Sequence, residues 1–393
     1  MGAARRVAEE SINHLLPRPP FGNLRYLDEN LIALIQRHLK RHEFFSSWWG
    51  SPRLYALMRM LDCDEGALQQ FQNANINDFW LPNDEVTFNK NGTNIDWDEF
   101  RQTQRYILTN PEHMSEAKLF ATPHLHRHLE YGEDFFEEKE HLGEGMSARV
   151  FRVQHNPWDN GKYFACKRAM RSQGRHQRER IQLFIKELEI LRRIDHPHTI
   201  RLVASYTDTL HFALILSPVA DESLKTMLER VSIPLSKDDD LVLRQSFTCL
   251  MSALTYLHEA YIRHKDIKPS NIVLSKGCVY LCDFGISNVW AGGDPTTQGP
   301  SHLTPGYCSP EVKNYEPRND ASDVWSMGRV FCDIITVLAG KTLYDMLQGF
   351  GDDLCGIYGT RGPEIMDEWL SRLTFEDTEA PHSFLHSVIR RMV

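Results

Sequence analysis

The stretch that decides the fold of this chain is His264-Lys265-Asp266-Ile267-Lys268-Pro269-Ser270-Asn271. It places a carboxylate and a carboxamide five residues apart, and Asp283-Phe284-Gly285 supplies a second carboxylate twelve residues after Asn271. Oxygen atoms of carboxylates and carboxamides are the ligands that hard divalent cations prefer. A carboxylate can also accept a proton from a hydroxyl group. The stretch therefore predicts a site that holds metal ions and orients an attacking hydroxyl.

A glycine-containing segment lies upstream, among short apolar runs that are typical of antiparallel strands. It reads Leu142-Gly143-Glu144-Gly145-Met146-Ser147-Ala148-Arg149-Val150, with alanine in place of a third glycine. Glycines let a hairpin backbone approach phosphate groups without obstruction by a Cβ atom. Alone, the segment is more typical of an ordinary glycine hairpin than of a phosphate site.

Two charged residues follow this hairpin at spacings that favour a common site. Lys167 lies seventeen residues after Val150, at the end of a strand-like run, and Glu187 lies twenty residues further on in a helical stretch. Phe184 and Leu191 share the helix face of Glu187, because they precede and follow it by three and four residues. A lone lysine or glutamate is typically a surface charge, but the combination favours a role in binding phosphate.

These segments together resemble the eukaryotic protein kinases of the Ser/Thr type. The opening stretch resembles their catalytic loop, with Lys265 in place of the usual arginine, and Asp283-Phe284-Gly285 resembles their metal-binding triplet. Two later segments, Thr304 to Glu311 and Asp323 to Gly328, resemble the family's substrate loop and the buried helix that follows it. The resemblance covers about residues 134–393 and implies an α+β fold, with an antiparallel-sheet N-lobe and a mainly helical C-lobe.

The resemblance also implies ATP and Mg²⁺ as cofactors and Ser/Thr hydroxyls of proteins as substrates. The implied catalytic residues are Asp266, Lys268, Lys167, Glu187 and Thr304. The implied nucleotide-binding residues are Leu142, Gly143, Gly145, Val150, Ala165, Lys167, Leu216 and Val219, and the implied metal ligands are Asn271 and Asp283. In this family the strand lysine bridges the α- and β-phosphates and pairs with the helix glutamate. A lysine at the position of Lys268 favours Ser/Thr over Tyr specificity.

The predicted organisation has four parts. Residues 1–22 read as a flexible lead-in, residues 23–132 as a mainly helical accessory region, residues 133–217 as the N-lobe and residues 218–393 as the C-lobe. Apolar spacing predicts helices near Leu27 to Leu39 and from Pro52 to Leu61 in the accessory region. This region resembles the N-terminal extensions of kinases from filamentous fungi, and it is a candidate for docking a regulatory partner or a substrate.

Composition limits the classes of partner and the compartment. The 393 residues carry a net charge of −9, from 44 basic and 53 acidic residues, which disfavours nucleic acid as the main partner. Eight cysteines without CxxC pairs favour free thiols in a reducing compartment, and thus a cytoplasmic or nuclear protein. No stretch of the sequence approaches the length of an uncharged membrane span.

Lys265 departs from the arginine that is usual in the family. Lys265 keeps the charge of the usual arginine but not its bidentate geometry, so phosphorylation at Thr296, Thr297 or Ser301 is expected to modulate activity without acting as an absolute switch.

The helix that begins near Phe384 resembles the one before the family's last motif. The C-lobe therefore reads as truncated, and the arginine partner expected for a buried Glu311 reads as missing.

The alternating residues His124, His126 and His128 could bind a metal ion along a strand, but the charged surroundings favour solvated side chains. The alternative function is a pseudokinase that binds nucleotide or partners without phosphoryl transfer, and the truncated C-lobe and Ala148 favour it weakly. The intact set of Lys167, Glu187, Asp266, Asn271 and Asp283 argues for catalysis instead. A small-molecule kinase of similar fold is disfavoured by the substrate-loop segment.

Overall fold

The computed structural model describes the chain except at residues 1–8, 43–44, 46, 90–94, 146–147, 156–161, 172–174, 286, 290–305, 315–318, 350–361, 374–380 and 393. The chain forms two compact units. The first comprises Met1–Ile185 and Leu202–Ser217, and the second comprises Lys186–Arg201 and Pro218–Val393. Strands dominate the second half of the first unit and helices dominate the second unit, so the predicted α+β class is confirmed.

The first unit begins with a helical region. Its α-helices are α1 (Glu29–Arg41), α2 (Pro52–Met60), α3 (Glu65–Asn73), α4 (Glu85–Asn89), α5 (Trp97–Gln104) and α6 (Glu116–Ala121). Asp28, Asp64 and Asp96 cap α1, α3 and α5 by accepting hydrogen bonds from backbone N–H groups of the first turn. Helices α1 and α2 match the two helices that apolar spacing predicts.

Six strands of the first unit form one sheet. They are β1 (His126–His128), β2 (Phe136–Glu144), β3 (Arg149–His155), β4 (Tyr163–Met170), β5 (Arg201–Thr207) and β6 (His211–Ser217), and helix α7 (Arg175–Leu191) follows β4. The strand order is β1-β5-β6-β4-β3-β2. Strand β1 runs parallel to β5, whereas β2, β3, β4 and β6 pair antiparallel. One strand of this sheet is therefore supplied by the accessory region.

One face of the sheet packs against the accessory region. The buried cluster there combines Met114, Leu119 and Leu129 with residues of five strands. Its sheet members are Phe136, Val153, Phe164, Cys166, Val203, Ala204, Tyr206, Ala213 and Ile215. Burial of this cluster from water stabilises the arrangement by the hydrophobic effect.

Part of the predicted flexible lead-in, residues 9–22, is described. Residues 9–13 are helical, and Ile12 and Leu16 are buried. Glu9 forms an ion pair with Arg59 at 3.3 Å. Two buried apolar side chains and one ion pair therefore connect residues 9–16 to the rest of the first unit.

The histidines of β1 correct a second expectation, because His126 and His128 are buried and not solvated. The Nδ1 atom of His126 lies 2.9 Å from Ser205 Oγ, and burial holds the pKa of His128 well below its usual value. Arg127 between them donates to the carbonyl oxygens of Thr122 and Leu125 after α6. Across the described residues, no group of three or more His, Cys, Asp or Glu side chains could hold a metal ion.

The second unit is mainly helical. Its helices are α8 (Leu224–Arg230), α9 (Lys237–Glu259), α10 (Pro310–Lys313), α11 (Ala321–Leu338), α12 (Leu343–Gly349), α13 (Gly362–Arg372) and α14 (Pro381–Met392). Its short strands are β7 (Glu222–Ser223), β8 (Ile262–Arg263), β9 (Ile272–Ser275), β10 (Cys278–Leu281) and β11 (Asn288–Val289). Helix α11 is almost wholly buried. Within the described ranges, no helix has the length and apolarity needed to cross a membrane.

Candidate active site

A buried carboxylate on α11 holds the backbone of the opening stretch. Asp323 accepts hydrogen bonds from the backbone N–H groups of His264 and Lys265, each at 2.8 Å, and lies 3.3 Å from His258 Nε2. Burial alone would raise the pKa of Asp323, but the hydrogen bond from His258, the charge of His264 and the backbone donor of Lys265 hold it below its ordinary value. The carboxylate is therefore ionised at neutral pH and fixes this loop.

The three polar side chains predicted to act together are in contact. Lys268 Nζ lies 2.8 Å from Asp266 Oδ2. Asn271 Nδ2 donates both to the backbone oxygen and to Oδ2 of Asp266, at 2.8 Å each. Because the Asn271 amide nitrogen faces Asp266, its oxygen Oδ1 is the atom suited to a cation. The structure thus brings Asp266, Lys268 and Asn271 into one polar cluster.

The triplet Asp283-Phe284-Gly285, predicted to bind metal, follows β10 at a sharp turn of the backbone. Asp283 is exposed and has a φ of 64°, and Lys265 has a φ of 69°. Residues with a Cβ atom adopt this left-handed conformation at a cost of roughly 1–2 kcal/mol, which the surrounding contacts must offset. The residues before and after Asp283 make such contacts with His264. Its Nε2 atom donates to Cys282 O at 2.9 Å, and the His264 ring lies 4.9 Å from the Phe284 ring.

In the first unit, the glycine segment forms the turn between β2 and β3. Gly145 N donates to Ala148 O at 2.8 Å, and the two residues between them lie outside the described residues. A Cβ atom built on Gly143 would meet no atom within 4 Å. The space beside Gly143 is therefore open, as close approach by a phosphate requires.

The predicted nucleotide-binding residues of the sheet lie in register. Val150 on β3 is the direct partner of Lys167 on β4, and Ala165 on β4 is the partner of Leu216 on β6. Lys167 and Ala165 share one sheet face because they are two residues apart. Cys166 between them points to the opposite face, into the buried cluster. Leu142 on β2 and Val219 after β6 are half-buried.

The substrate-loop segment is only partly described. Thr304 and the three phosphorylation candidates fall outside the described residues, as does the preceding part of the loop. Tyr307 is described, and its hydroxyl donates to Asp333 Oδ2 on α11 at 2.7 Å. Arg329 Nε on the same helix donates to Gly306 O at 2.9 Å.

Sequence reasoning missed Arg329 and Asp333 as supports of this loop. The available signal was their charge on an otherwise apolar helix, since buried charged groups require partners. Glu311 has a hydrogen-bond partner that the sequence analysis did not anticipate. It is half-buried and accepts a hydrogen bond from Ser322 Oγ at 2.9 Å.

Comparison with known proteins agrees with this geometry. Residues 136–354 match the sequence model of the protein kinase domain, which is more than half of the chain, and the chain therefore belongs to the protein kinase domain family.

The chain is 28% identical over 220 residues to the probable serine/threonine-protein kinase nek1 of Dictyostelium discoideum, covering 51% of this chain and 43% of that protein. It is 31% identical over 206 residues to mitogen-activated protein kinase kinase kinase ANP1 of Arabidopsis thaliana, covering 51% and 30%. It is 28% identical over 200 residues to calcium/calmodulin-dependent protein kinase type 1 of Macrobrachium nipponense, covering 50% and 55%. The matched part thus spans about half or less of each of these relatives.

Proposed function

We propose that this chain is an ATP-dependent protein serine/threonine kinase. The observation that carries the proposal is the polar cluster of Asp266, Lys268 and Asn271, held on a loop whose backbone is fixed by Asp323. A carboxylate, an ammonium group and a carboxamide in contact serve phosphoryl transfer, where positioning and electrostatic stabilisation account for most of the catalysis. The relatives whose names include serine/threonine-protein kinase support the same conclusion.

The donor set fits a nucleotide with Mg²⁺. Asn271 Oδ1 and the exposed carboxylate of Asp283 are hard oxygen ligands, which Mg²⁺ prefers. When bound, the metal ion supplies positive charge that neutralises the phosphate oxygens. Gly143 leaves room for the phosphates, and Lys167 on β4 provides a cation for them. Family resemblance assigns Glu187, buried on α7, to orient that lysine.

Asp266 would orient the substrate hydroxyl and accept its proton. The hydroxyl oxygen forms a bond to the γ-phosphorus as the bond between that phosphorus and the β,γ-bridging oxygen breaks, with ADP as the leaving group. Lys268, 2.8 Å from Asp266, supplies positive charge near the transferring group and keeps the carboxylate oriented. The free described cysteines favour a cytoplasmic or nuclear location, which we include in the proposal.

Phosphate transfer from labelled ATP to a generic basic protein and to the chain itself tests this proposal. We expect Asp283→Asn to lower transfer at least about 100-fold, because it removes one charge from the metal site. The control is Asp345→Asn on α12, an exposed carboxylate with the same chemical change, which should keep wild-type transfer. If wild type and Asp283→Asn are equally silent although both bind ATP, the chain is a nucleotide-binding scaffold.

A further inference from the structure

Residues 74–82 of the accessory region, here called the bracing segment, contact the sheet and the part of helix α7 that belongs to the first unit, up to Ile185. The segment includes a short 3₁₀ turn, Asp78–Trp80, and follows helix α3. Family resemblance assigns catalytic roles to Lys167 on β4 and Glu187 on α7, but it assigns no role to the accessory region. The bracing segment contacts helix α7, Arg171 directly after β4, and residues of β1 and β5.

The first contact is made by aromatic rings. Phe79 lies 6.2 Å from Phe184 of α7 in an edge-to-face arrangement, and 4.6 Å from the ring of His126 on β1. Phe184 in turn stacks on Phe212 of β6 at 5.4 Å. Aromatic pairs at these separations stabilise more than their buried area alone accounts for. Phe79 therefore connects the accessory region to α7 and, through Phe184, to the sheet.

The second contact consists of backbone carbonyl groups that accept from charged side chains. Arg178 on α7 donates to Ala74 O at 2.7 Å. Arg171, which directly follows β4, donates to Trp80 O at 2.6 Å and to Pro82 O at 2.9 Å. Hydrogen bonds from charged groups are directional and stronger than neutral ones. Both ends of the bracing segment are thus fixed, one to the helix and one to the strand.

The position of Phe184 makes these contacts relevant to the site. Phe184 precedes Glu187 by three residues on one continuous helix, so both side chains lie on similar faces of adjacent turns. A displacement of the helix at Phe184 would displace Glu187 as well. Phe79 is only half-buried, whereas the rings of the accessory-region core, such as Phe71 and Phe100, are fully buried. The ring contacts of Phe79 are with His126 of β1 and Phe184 of α7.

We propose that the bracing segment is a built-in positioning element for α7, with Phe79 as the principal positioning residue for Glu187. This inference rests on the proposed kinase function for its effect on catalysis, but the brace itself is a structural property that is measurable without ATP. Phe79 touches none of the groups assigned to the reaction. It acts through Phe184 on the helix that carries one of them.

The test compares Phe79→Ala with a matched control, Phe120→Ala, in the full chain. Phe120 is also a half-buried phenylalanine of the accessory region, and its ring packs 6.1 Å from Phe164 of β4 in the sheet. Two readouts are needed: backbone amide hydrogen exchange in residues 181–191 without nucleotide, and the kcat and KM of phosphate transfer. Phe79→Tyr keeps the ring and serves as the conservative variant.

We expect Phe79→Ala to speed amide exchange in residues 181–191 by about 10-fold, since the loss of an aromatic pair lowers the cost of local opening. It should lower kcat by about 10-fold with less than about a twofold change in KM for protein substrate, as expected for a misplaced positioning group. Phe120→Ala should leave both readouts within about twofold of wild type, and Phe79→Tyr should restore both.

The proposal that the bracing segment holds α7 would be contradicted if amide exchange in residues 181–191 were equal in Phe79→Ala and wild type. An equal increase of that exchange in Phe120→Ala would contradict it as well. Faster exchange with unchanged kcat would overturn its role in positioning Glu187. If wild type transfers no phosphate, the proposed kinase function fails, and the exchange comparison alone then decides whether residues 74–82 hold α7.

Discussion

The candidate catalytic loop (residues 264–271) in the second unit and the junction between accessory region and sheet in the first unit both depend on hydrogen bonds between polar groups, but the acceptors differ. The loop is held by side chains of fixed chemical type, such as Asp323, which accepts from His264 N and Lys265 N. The junction is held mainly by main-chain carbonyls, such as Trp80 O and Pro82 O, which accept from Arg171. Any residue can supply a carbonyl oxygen, whereas few can replace a carboxylate.

This difference explains why one region has a sequence signature and the other has none. A buried carboxylate that accepts two backbone donors must remain Asp or a close analogue, because an unsatisfied buried donor costs about 1–3 kcal/mol. At the junction, the acceptors are independent of side-chain identity, and only the donors are constrained. The two regions should therefore respond differently to substitution.

The largest effect is expected at the catalytic loop. Asp323→Asn replaces two equivalent acceptor oxygens by one oxygen and one NH₂ donor, so one of the two backbone N–H groups loses its partner. We expect phosphate transfer to fall at least about 100-fold, since a shift of about 1 Å in a catalytic group has such an effect. Transfer assays under saturating ATP would measure the loss.

The control is Asp320→Asn, three residues earlier at the start of α11. Asp320 also approaches His258, at 4.0 Å, but its side chain makes no capping hydrogen bond to the helix. Near wild-type transfer in Asp320→Asn would assign the effect of Asp323→Asn to the loop. Comparable losses in both variants would show that the environment of His258, and not the support of residues 264 and 265, matters.

The catalytic loop and the strands of the site could be predicted because their constraints are local or specific in chemistry. The spacing of Val150 and Lys167 anticipated two strands that proved to be paired directly. The pairing of β1 with β5 could not be anticipated, because His126-Arg127-His128 lacks the alternating apolar pattern of a strand. Its side chains are buried by partners far away in sequence, such as Ser205.

Gly132 is a second position whose structural role could not be predicted from the sequence. A Cβ atom at this position would lie 2.3 Å from the ring of Tyr206, so only glycine fits beside that strand. Nothing around Gly132 in the sequence indicates the close approach, because Tyr206 is more than seventy residues away. Long-range packing of this kind determines the junction and is not visible in local patterns.

The second effect concerns Arg171, the half-buried donor of the junction. Arg171 donates to Trp80 O, Pro82 O and Asp208 O, and burial lowers its pKa to about 10, so it remains charged at neutral pH. Arg171→Met would leave three acceptors without this donor, and we expect it to lower the free energy of unfolding by about 4 kcal/mol. Urea denaturation followed by tryptophan fluorescence would measure the change.

An exposed cation of the same junction provides the contrast. Lys162, before β4, pairs with Glu116 of α6 at 2.7 Å, with its side chain half exposed to solvent. Lys162→Met should change the free energy of unfolding by less than about 1 kcal/mol, as is usual for surface ion pairs. A loss in Lys162→Met as large as that in Arg171→Met would mean that charge, and not the satisfaction of buried carbonyls, holds the junction.

The smallest effect concerns the interior of the accessory region, where a side-chain carboxylate is used as in the catalytic loop. Asp78 accepts from Arg53 N at 3.0 Å and Leu54 N at 2.8 Å, at the N-terminus of α2. Burial raises the pKa of Asp78 to about 6, against the lowering effect of the two backbone donors and of Arg53. Asp323 and Asp78 are therefore both buried acceptors, but their pKa values are shifted in opposite directions.

The raised pKa of Asp78 has a definite consequence for stability. Below about pH 4 the carboxyl is protonated in both the folded and the unfolded protein, and between about pH 4 and pH 6 the folded protein binds more protons. The free energy of unfolding should therefore fall as pH rises through this window, by up to about 3 kcal/mol, relative to a variant without the titrating group.

Asp78→Asn is that variant, and denaturation of both proteins between pH 4 and pH 7 measures the difference. Wild type should lose stability relative to Asp78→Asn as pH rises to about 6, and the difference should then stay constant. A difference that changes in the opposite direction would show that the two backbone donors of α2 outweigh burial. Asp78 would then resemble Asp323, and the two regions would use buried carboxylates in the same way.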